Sequence, residues 1–247
     1  MKVLGIDIGG SAFKGAPVDT KTGRLLAERH RVPIKSPCPT AQGLAAVREI
    51  VGHFNWKGPV GIGFPAIIVH NQIGVVGNLG ENWEHRDGAT LFRRAAGGDL
   101  HLFNDADAAG LAELKFGAGR GHRGSVLMLT FGTGIGSALF YRGQLFPNIE
   151  FGHIPWDGEP IEHFASAAVK DRCDLSWRKW SKRVNTFLKV AERISSPELI
   201  IIGGGVSKEP EKWFKYLKAK ARVVPASMGN DAGIVGAALA WEHAAGD

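Results

Sequence analysis

The sequence predicts an α/β protein made of two related halves, and three observations lead there. Short β-branched runs alternate with segments of helical spacing along the whole chain, the pattern that layers helices on a mostly parallel sheet. A strand, a glycine-rich turn and a second strand occur twice, at residues 3–18 and 125–141, which points to two halves facing one cleft. The 247 residues suit one or two domains, with room for one sizeable core or two modest ones.

The elements follow in order. Val3–Ile8 reads as a strand, Phe13–Val18 as its hairpin partner before the turn at residues 19–23, and residues 24–34 as a third strand. From Thr40, a plausible N-cap, to about Phe54, the spacing of Leu44, Val47, Ile50 and Val51 predicts an amphipathic helix. Val60–Phe64 is a short buried strand, Ile67–Val76 a hairpin, Ala89–Ala96 a helix and Leu100–Phe103 a strand. At Asn104-Asp105 the chain turns into the helix DADAAGLAELKFG, stopped at Gly117. A connector over 117–124 leads to the strand Ser125–Phe131, and Ser137–Tyr141 returns beside it. A long polar helix over about 174–194, a strand Leu199–Ile202, the run GGGVS, a helix through about Ala219, a strand Arg222–Val224 and a final helix Ala232–His243 complete the chain.

Composition narrows the class. Hydrophobic residues make up 44% and charged residues 22%, and mean hydropathy is −0.05, which is ordinary globular composition. Each apolar stretch is cut by a charge or glycine before the roughly 18 residues a bilayer span needs, and MKVLGIDIGG lacks the features of a signal peptide. A cytoplasmic protein is expected. Cys38 and Cys173 form no paired spacing, so neither a disulfide framework nor a cysteine zinc site is indicated. A formal charge of +6 favours polyanionic partners if it is concentrated on one face, and is unremarkable if diffuse.

The 34 glycines exceed the average usage of about 7%. They cluster at 9–10, 132–136, 203–205 and 229–236, each time beside an apolar run, and read as strands followed by turns that offer backbone N–H groups to phosphate. Gly132, Gly134 and Gly136 in TFGTGIGS supply converging donors at a strand end, with hydroxyls from Thr130, Thr133 and Ser137. No P-loop occurs, and the GxGxxG at 119–124 follows a helix and precedes a strand, the reverse of dinucleotide-binding order. Asp7 ends an otherwise apolar strand and needs a cation, water or N–H groups; a magnesium-linked role is natural. Lys14 faces either the same anion or solvent. Asn104 or Asp105 is either a helix N-cap or the single base that phosphoryl transfer requires. Glu150 and His153 offer the mixed donors and acceptors that suit sugar hydroxyls, the alternative being a structural histidine.

Together, DIGGS at 7–11 with Lys14, NDADA at 104–108, TFGTGIGS at 130–137, EFGH at 150–153 and GGGVS at 203–207 resemble the ROK family of sugar kinases. NDADAAGLAE, FGTGIGSA, PNIEFGH and NDAGIVGAALA look like the branch that phosphorylates glucose from inorganic polyphosphate, often also from ATP. The resemblance implies a two-domain actin-like, ribonuclease H-like ATPase fold with a cleft between domains: a small α/β domain from 1–103 plus 232–247, and a large one from 104–231. It implies Asp105 as general base toward the sugar 6-hydroxyl, with Asn104, Glu150, His153, Glu162 and Asn78 on the ring hydroxyls. Asp7 would organise Mg2+ through water. Gly9, Gly10, Ser11 and Lys14 would form one phosphate loop, Thr130, Gly132, Thr133, Gly134 and Gly136 the other, and Gly204 and Gly205 would flank a nucleotide. Many members carry a cysteine cluster after the EFGH-like histidine and bind zinc; His153 is followed by IPWDGEPIEHFAS, so no zinc is expected. The resemblance also implies a homodimer. No nucleic-acid or membrane partner is expected, because the phosphate motif begins almost at Met1 and leaves no place for the helix-turn-helix of ROK repressors.

The donor is the open question. Arg178, Lys179, Lys182, Arg183, Lys189 and Arg193 on the long helix, and Lys208, Lys212, Lys215, Lys218, Lys220 and Arg222 after GGGVS, form either a track for a long polyanion or two solvated faces. With the second, an ATP-only glucokinase or glucomannokinase on the same scaffold is the alternative.

Overall fold

A computed structural model describes residues 1–76 and 79–244 and divides the chain into two compact units, Met1–Ala112 with Asn230–Asp247 and Glu113–Gly229. The expected domain boundaries were 103/104 and 231/232, with the second domain the larger; here the first unit is the larger and the boundary lies inside the helix that begins at Asp105. That helix starts in the first unit because its opening turns pack there: a Cβ on Gly63 would stand 3.6 Å from both Asp105 and Ala108.

In the first unit, β1 (Lys2–Ile8), β2 (Ala12–Asp19), β3 (Arg24–Leu25), β4 (His30–Pro33), β5 (Val60–Phe64) and β8 (Leu100–Asn104) form one sheet in the order β3-β2-β1-β5-β8, with β4 also on β2. The strand expected over 24–34 is thus two short ones, each antiparallel to β2. β1, β5 and β8 run parallel. β6 (Ala66–Val69) and β7 (Gln72–Val76) make a separate hairpin. α1 (Thr40–His53) starts after Pro39 without a side-chain cap; the Thr40 hydroxyl donates instead to Asn82 O at 3.1 Å. α2 is Gly88–Ala96, α3 Asp105–Phe116 and α7 Ala232–Ala244.

Side chains alternate across a strand, so the sheet has two different faces. Leu4, Ile6 and Ile8 join Ile50, Trp83 and Phe92 in the core beneath α1 and α2. The opposite face is floored with glycine. A Cβ on Gly5 would overlap the Ile234 carbonyl oxygen, one on Gly61 that of Ala237, and one on Gly236 that of Ala108. α7, apolar on every side, can therefore lie directly on the sheet and against α3, as a helix buried all round must. In the cluster at 229–236, Gly233 and Gly236 lie within α7 and pack it closely, and do not offer backbone to a ligand as the cluster suggests.

The second unit repeats the plan. β9 (Ser125–Phe131), β10 (Ile135–Tyr141), β11 (Gln144–Phe146), β14 (Leu199–Gly204) and β15 (Arg222–Pro225) are ordered β11-β10-β9-β14-β15, antiparallel up to β9 and parallel beyond it, as in β3-β2-β1-β5-β8. β12 (Pro155–Trp156), β13 (Glu159–Pro160), α4 (Glu162–Ala165) and α5 (Ala167–Arg172) are too short to leave a period in the sequence. α6 (Trp177–Ser195) begins at a Ser176 cap. Its buried face meets an aromatic core: Phe131 is centred 5.6 Å from Trp180, 6.0 Å from Phe187 and 6.5 Å from Trp213. Each buried indole N–H there has an acceptor, Trp180 on Ala165 O and Ser166 O, Trp213 on Val206 O.

The helix expected through Ala219 does not form. Residues 205–216 make three 3-10 turns, broken at Trp213 (φ −143) so that this side chain enters the core. α6 supplies the hydrogen bonds a helix would have made internally: Asn185 bonds Tyr216 O and Lys218 N, and Glu192 accepts from the N–H of Lys220 and Ala221.

Candidate active site

In the first unit, chemistry gathers at the C-terminal ends of the parallel strands, where open α/β sheets bind ligands. Asp7 is the second-last residue of β1 and lies on the glycine-floored face, paired in register with Gly63. Its carboxylate fits only because Gly233, in the first turn of α7, has no side chain: a Cβ there would come within 2.7 Å of Asp7 Cγ. Lys14 is its cross-strand partner, with Nζ 3.4 Å from Asp7 Oδ2. The turn between them is closed by Gly9 N–H to Ala12 O at 3.2 Å and leaves Gly10 and Ser11 exposed.

β8 lies one strand beyond β5, so its end is about 10 Å from that of β1 at the usual strand spacing. There Asn104 and Asp105 stand side by side at the head of α3. Buried Asn104 caps α3: its Oδ1 accepts from Ala106 N at 2.9 Å and Asp107 N at 3.0 Å, and its Nδ2 donates to Ala66 O at 3.1 Å. Both lone pairs of that amide oxygen are thus spent on the backbone. Asp105 is half-buried at the head of the helix, and its Oδ1 accepts from the same Ala106 N–H at 2.8 Å. Asp107 points into the protein, 2% exposed. Asn78, expected on the sugar, lies outside the described residues.

In the second unit, the buried ring of Phe131 fixes where β9 ends and the glycine loop begins. Gly132 and Thr133 are exposed, and Gly132 N–H turns back to Gly134 O at 3.0 Å. β14 lies beside β9 with Gly203 opposite Thr130 and Gly204 opposite Phe131, so TFGTGIGS and GGGVS leave the sheet side by side. Gly204 has φ +84 and sits on the Phe131 carbonyl, where a side chain would overlap it; Gly205 is open.

The acidic residues on this unit converge. Glu162, first in α4, reaches under the glycine loop and accepts Ile135 N–H at Oε2 (2.9 Å); a Cβ on Gly134 would overlap that oxygen. Its other oxygen is 3.9 Å from His153 Nε2. Glu150 is the third member. Burial pushes its carboxyl above the usual range, His153 opposes the rise and Glu162 adds to it. The EFGH segment is pinned by Ser137, whose hydroxyl donates to Ile149 O (2.6 Å) and accepts from Phe151 N (2.9 Å). Ser137 is 2% exposed, so it is a brace and not the phosphate donor its place in TFGTGIGS suggested. Sequence reasoning missed Gly63 and read Gly233 as part of a phosphate-binding turn, although the spacing of Gly233 and Gly236 fits one face of a helix.

Among the described residues no group of three or more His, Cys, Asp or Glu is placed to hold a metal ion, and no helix is long and apolar enough to cross a membrane. The ROK family profile matches residues 3–174. The polyphosphate glucokinase of Mycobacterium tuberculosis (strain CDC 1551 / Oshkosh) is 41% identical over 240 residues, 96% of this chain and 90% of that one. The inorganic polyphosphate/ATP-glucomannokinase of Arthrobacter sp. strain KM superposes with a TM-score of 0.94 at 41% identity, covering 98% of this chain and 99% of that one. A ROK family glucokinase from Streptomyces griseus in complex with glucose and AMPPNP shares the fold, with a TM-score of 0.82 at 24% identity over 98% and 100% of the two chains.

Proposed function

Because this chain belongs to the ROK family, whose sugar kinases have the two-domain actin-like ATPase fold, we infer that its site phosphorylates glucose. The enzyme is a glucokinase that uses inorganic polyphosphate, ATP or both. The observation that supports the mechanism is the pair at the head of α3: Asn104 accepts from both the Ala106 and Asp107 amides, so the cap does not rest on Asp105 alone, and its half-buried carboxylate at the strand end can serve as base. Asp105 takes the proton from the glucose 6-hydroxyl while the O6–P bond forms and the bond to the departing phosphate chain breaks in line. Glu150, His153 and Glu162 hold ring hydroxyls, with Asn78 and the Asn104 amide as further contacts. Thr133, Gly134 and the turn at Gly10-Ser11 offer N–H groups to the phosphates, while Gly9, Gly132 and Gly136 keep the approach clear of side chains; the Thr130 hydroxyl and Lys14 help, and Gly204 and Gly205 flank a nucleotide when ATP is the donor.

The donor set fits Mg2+. Asp7 presents one carboxylate in a space that a side chain at 233 would fill, and Mg2+ commonly takes one or two carboxylates, water and substrate phosphates. Bound there, the ion would offset charge on the phosphoryl oxygens. The same reading makes the protein a cytoplasmic homodimer in carbohydrate metabolism and glycolysis, without nucleic-acid or membrane partners. A second reading, glucomannokinase activity, is supported by the likeness to the Arthrobacter enzyme.

The test is formation of glucose 6-phosphate, and of mannose 6-phosphate, with Mg2+ and either ATP or long-chain polyphosphate at matched phosphoryl concentration. Activity with polyphosphate and glucose is expected. Product from ATP alone would reduce the enzyme to an ATP-only glucokinase, and no product from either donor would overturn the reading.

A further inference from the structure

The positive charge of this chain is not diffuse. Between Arg178 and Arg222 stand twelve Lys and Arg against four Glu, net +8, whereas the whole chain is +6, so the remainder is slightly acidic. Most of this charge sits on α6 and on the crossover beside it, joined by the Asn185 and Glu192 hydrogen bonds described above.

On α6 the cations are ordered. At 3.6 residues per turn, Arg178, Lys182, Lys189 and Arg193 fall within about 60° of arc and span about 22 Å along the axis. All four are exposed, and none has a carboxylate within ion-pair distance among the described residues. The stripe ends at a depression of about 570 Å3 lined by Lys189, Arg193 and Lys220 together with Glu192 and Glu198. Both carboxylates there accept backbone N–H groups, Glu192 those of Lys220 and Ala221 and Glu198 that of Ser125.

The stripe works against its own helix. Arg178 with Lys182, and Lys189 with Arg193, are like-charged pairs at i, i+4, and the first pair crowds the N-terminal turns, where the helix dipole disfavours cations and no acidic residue compensates. A polyanion along the stripe would relieve both penalties. The stripe is far longer than three linked phosphates, and it carries no aromatic ring on which bases could stack.

We propose that this stripe and its terminal depression are a second binding site for a linear phosphate polymer, which anchors the donor chain in addition to the glycine loops. The proposal rests on the donor reading above. It predicts a processive advantage for long donors over ATP.

The test is the combined variant Lys182→Ala, Lys189→Ala, Arg193→Ala, whose side chains are exposed and outside the catalytic machinery. By counterion release at about 0.1 M salt, each lost contact weakens binding up to about fivefold, so about ten- to a hundredfold is expected for the three. Both the KM for long-chain polyphosphate and the dissociation constant of a fluorescently labelled long-chain polyphosphate should rise by that factor. The log–log salt slope of binding should become shallower by about 2, with KM for ATP and glucose within about twofold of the parent. Unchanged polyphosphate binding, or an equal loss with ATP, would overturn the anchor. So would single-stranded RNA of matched charge binding the parent as tightly and suffering the same loss in the variant. If the parent makes no product from polyphosphate while binding still falls in the variant, the donor reading fails and the anchor stands.

Discussion

Two glycines one turn apart on α7 should respond in opposite ways to the same methyl group. At Gly233 the methyl would meet the Asp7 carboxylate, 2.7 Å from Cγ and 2.8 Å from Oδ1. Carbon contacts tighter than about 3.4 Å are rare in packed interiors, so the carboxylate must retreat by about 0.7 Å, by rotating a short side chain at a cost of about 0.5–1.5 kcal/mol. Replacing glycine by alanine in a helix returns up to about 1 kcal/mol, so stability should change by no more than about 1 kcal/mol, or about 2–4 °C in Tm. Activity should not be spared, because a misplacement near 1 Å costs about a hundredfold. At Gly236 the methyl would overlap the Ala108 carbonyl, which is backbone and cannot rotate away. There the helices must part, at about 3 kcal/mol or about 6–12 °C. Thermal unfolding followed by circular dichroism, with glucose 6-phosphate formation at a series of Mg2+ concentrations, separates the two cases. Gly233→Ala should keep its Tm and lose about ten- to a hundredfold in kcat; Gly236→Ala should lose Tm. A folded Gly233→Ala enzyme with activity within twofold of the parent would refute the role given to the Asp7 carboxylate. A Tm collapse at Gly233 would refute the claim that a side chain yields there.

Other substitutions probe the remaining parts. Asp105→Asn should cut kcat by about 10²–10⁴-fold while the dissociation constant for glucose, measured calorimetrically, stays within a few-fold. Ser137→Ala strands the buried Phe151 N–H and should cost about 1–3 kcal/mol in denaturant unfolding, with a raised KM for glucose because Glu150 and His153 flank Phe151. Glu150 has its carboxyl raised by burial, so its contribution to stability is present below the unfolded value near 4.3 and is lost as pH rises through the folded one. Glu150→Gln should therefore flatten the fall in Tm across that window and leave the variant the more stable protein at neutral pH. Equal pH slopes for the two proteins would count against the buried, raised carboxyl.

What could be read in advance depended on whether the signal was local. The paired hairpins, the longer strands and α1, α3 and α6 were legible because periodicity and glycine turns are short-range, whereas 24–34 split into two strands and β11, β12 and β13 went unread. The junction at Asn104-Asp105, where β8 ends and α3 begins, was legible too. The choice between Asn104 and Asp105 as cap was not, because it depends on which side chain reaches the Ala106 and Asp107 amides. The non-helical crossover was hidden for the same reason: its hydrogen-bond partners, Asn185 and Glu192, belong to another segment. Ser137 shares one motif with Thr130 and Thr133, and only its burial shows it to be a brace. Glycine carried two messages, exposed backbone at 132 and 205 and close packing at 5, 61 and 236, which composition cannot tell apart.

The glycine floor beneath α7 also sets an order of events during synthesis. Thr20 donates a hydrogen bond to Glu242, 222 positions away, and on the face that carries Asp7 the backbone at Gly5 and Gly61 is covered by α7, from Ala232 onward. At about 5–20 residues per second, the first unit waits about 6–24 seconds between Ala112 and Ala232 with that part of its sheet uncovered. Residues 113–229, which hold their own sheet and aromatic core, emerge whole in that interval. The half that begins first is therefore the half that finishes last, and its uncovered strands are where a nascent-chain chaperone would have to act.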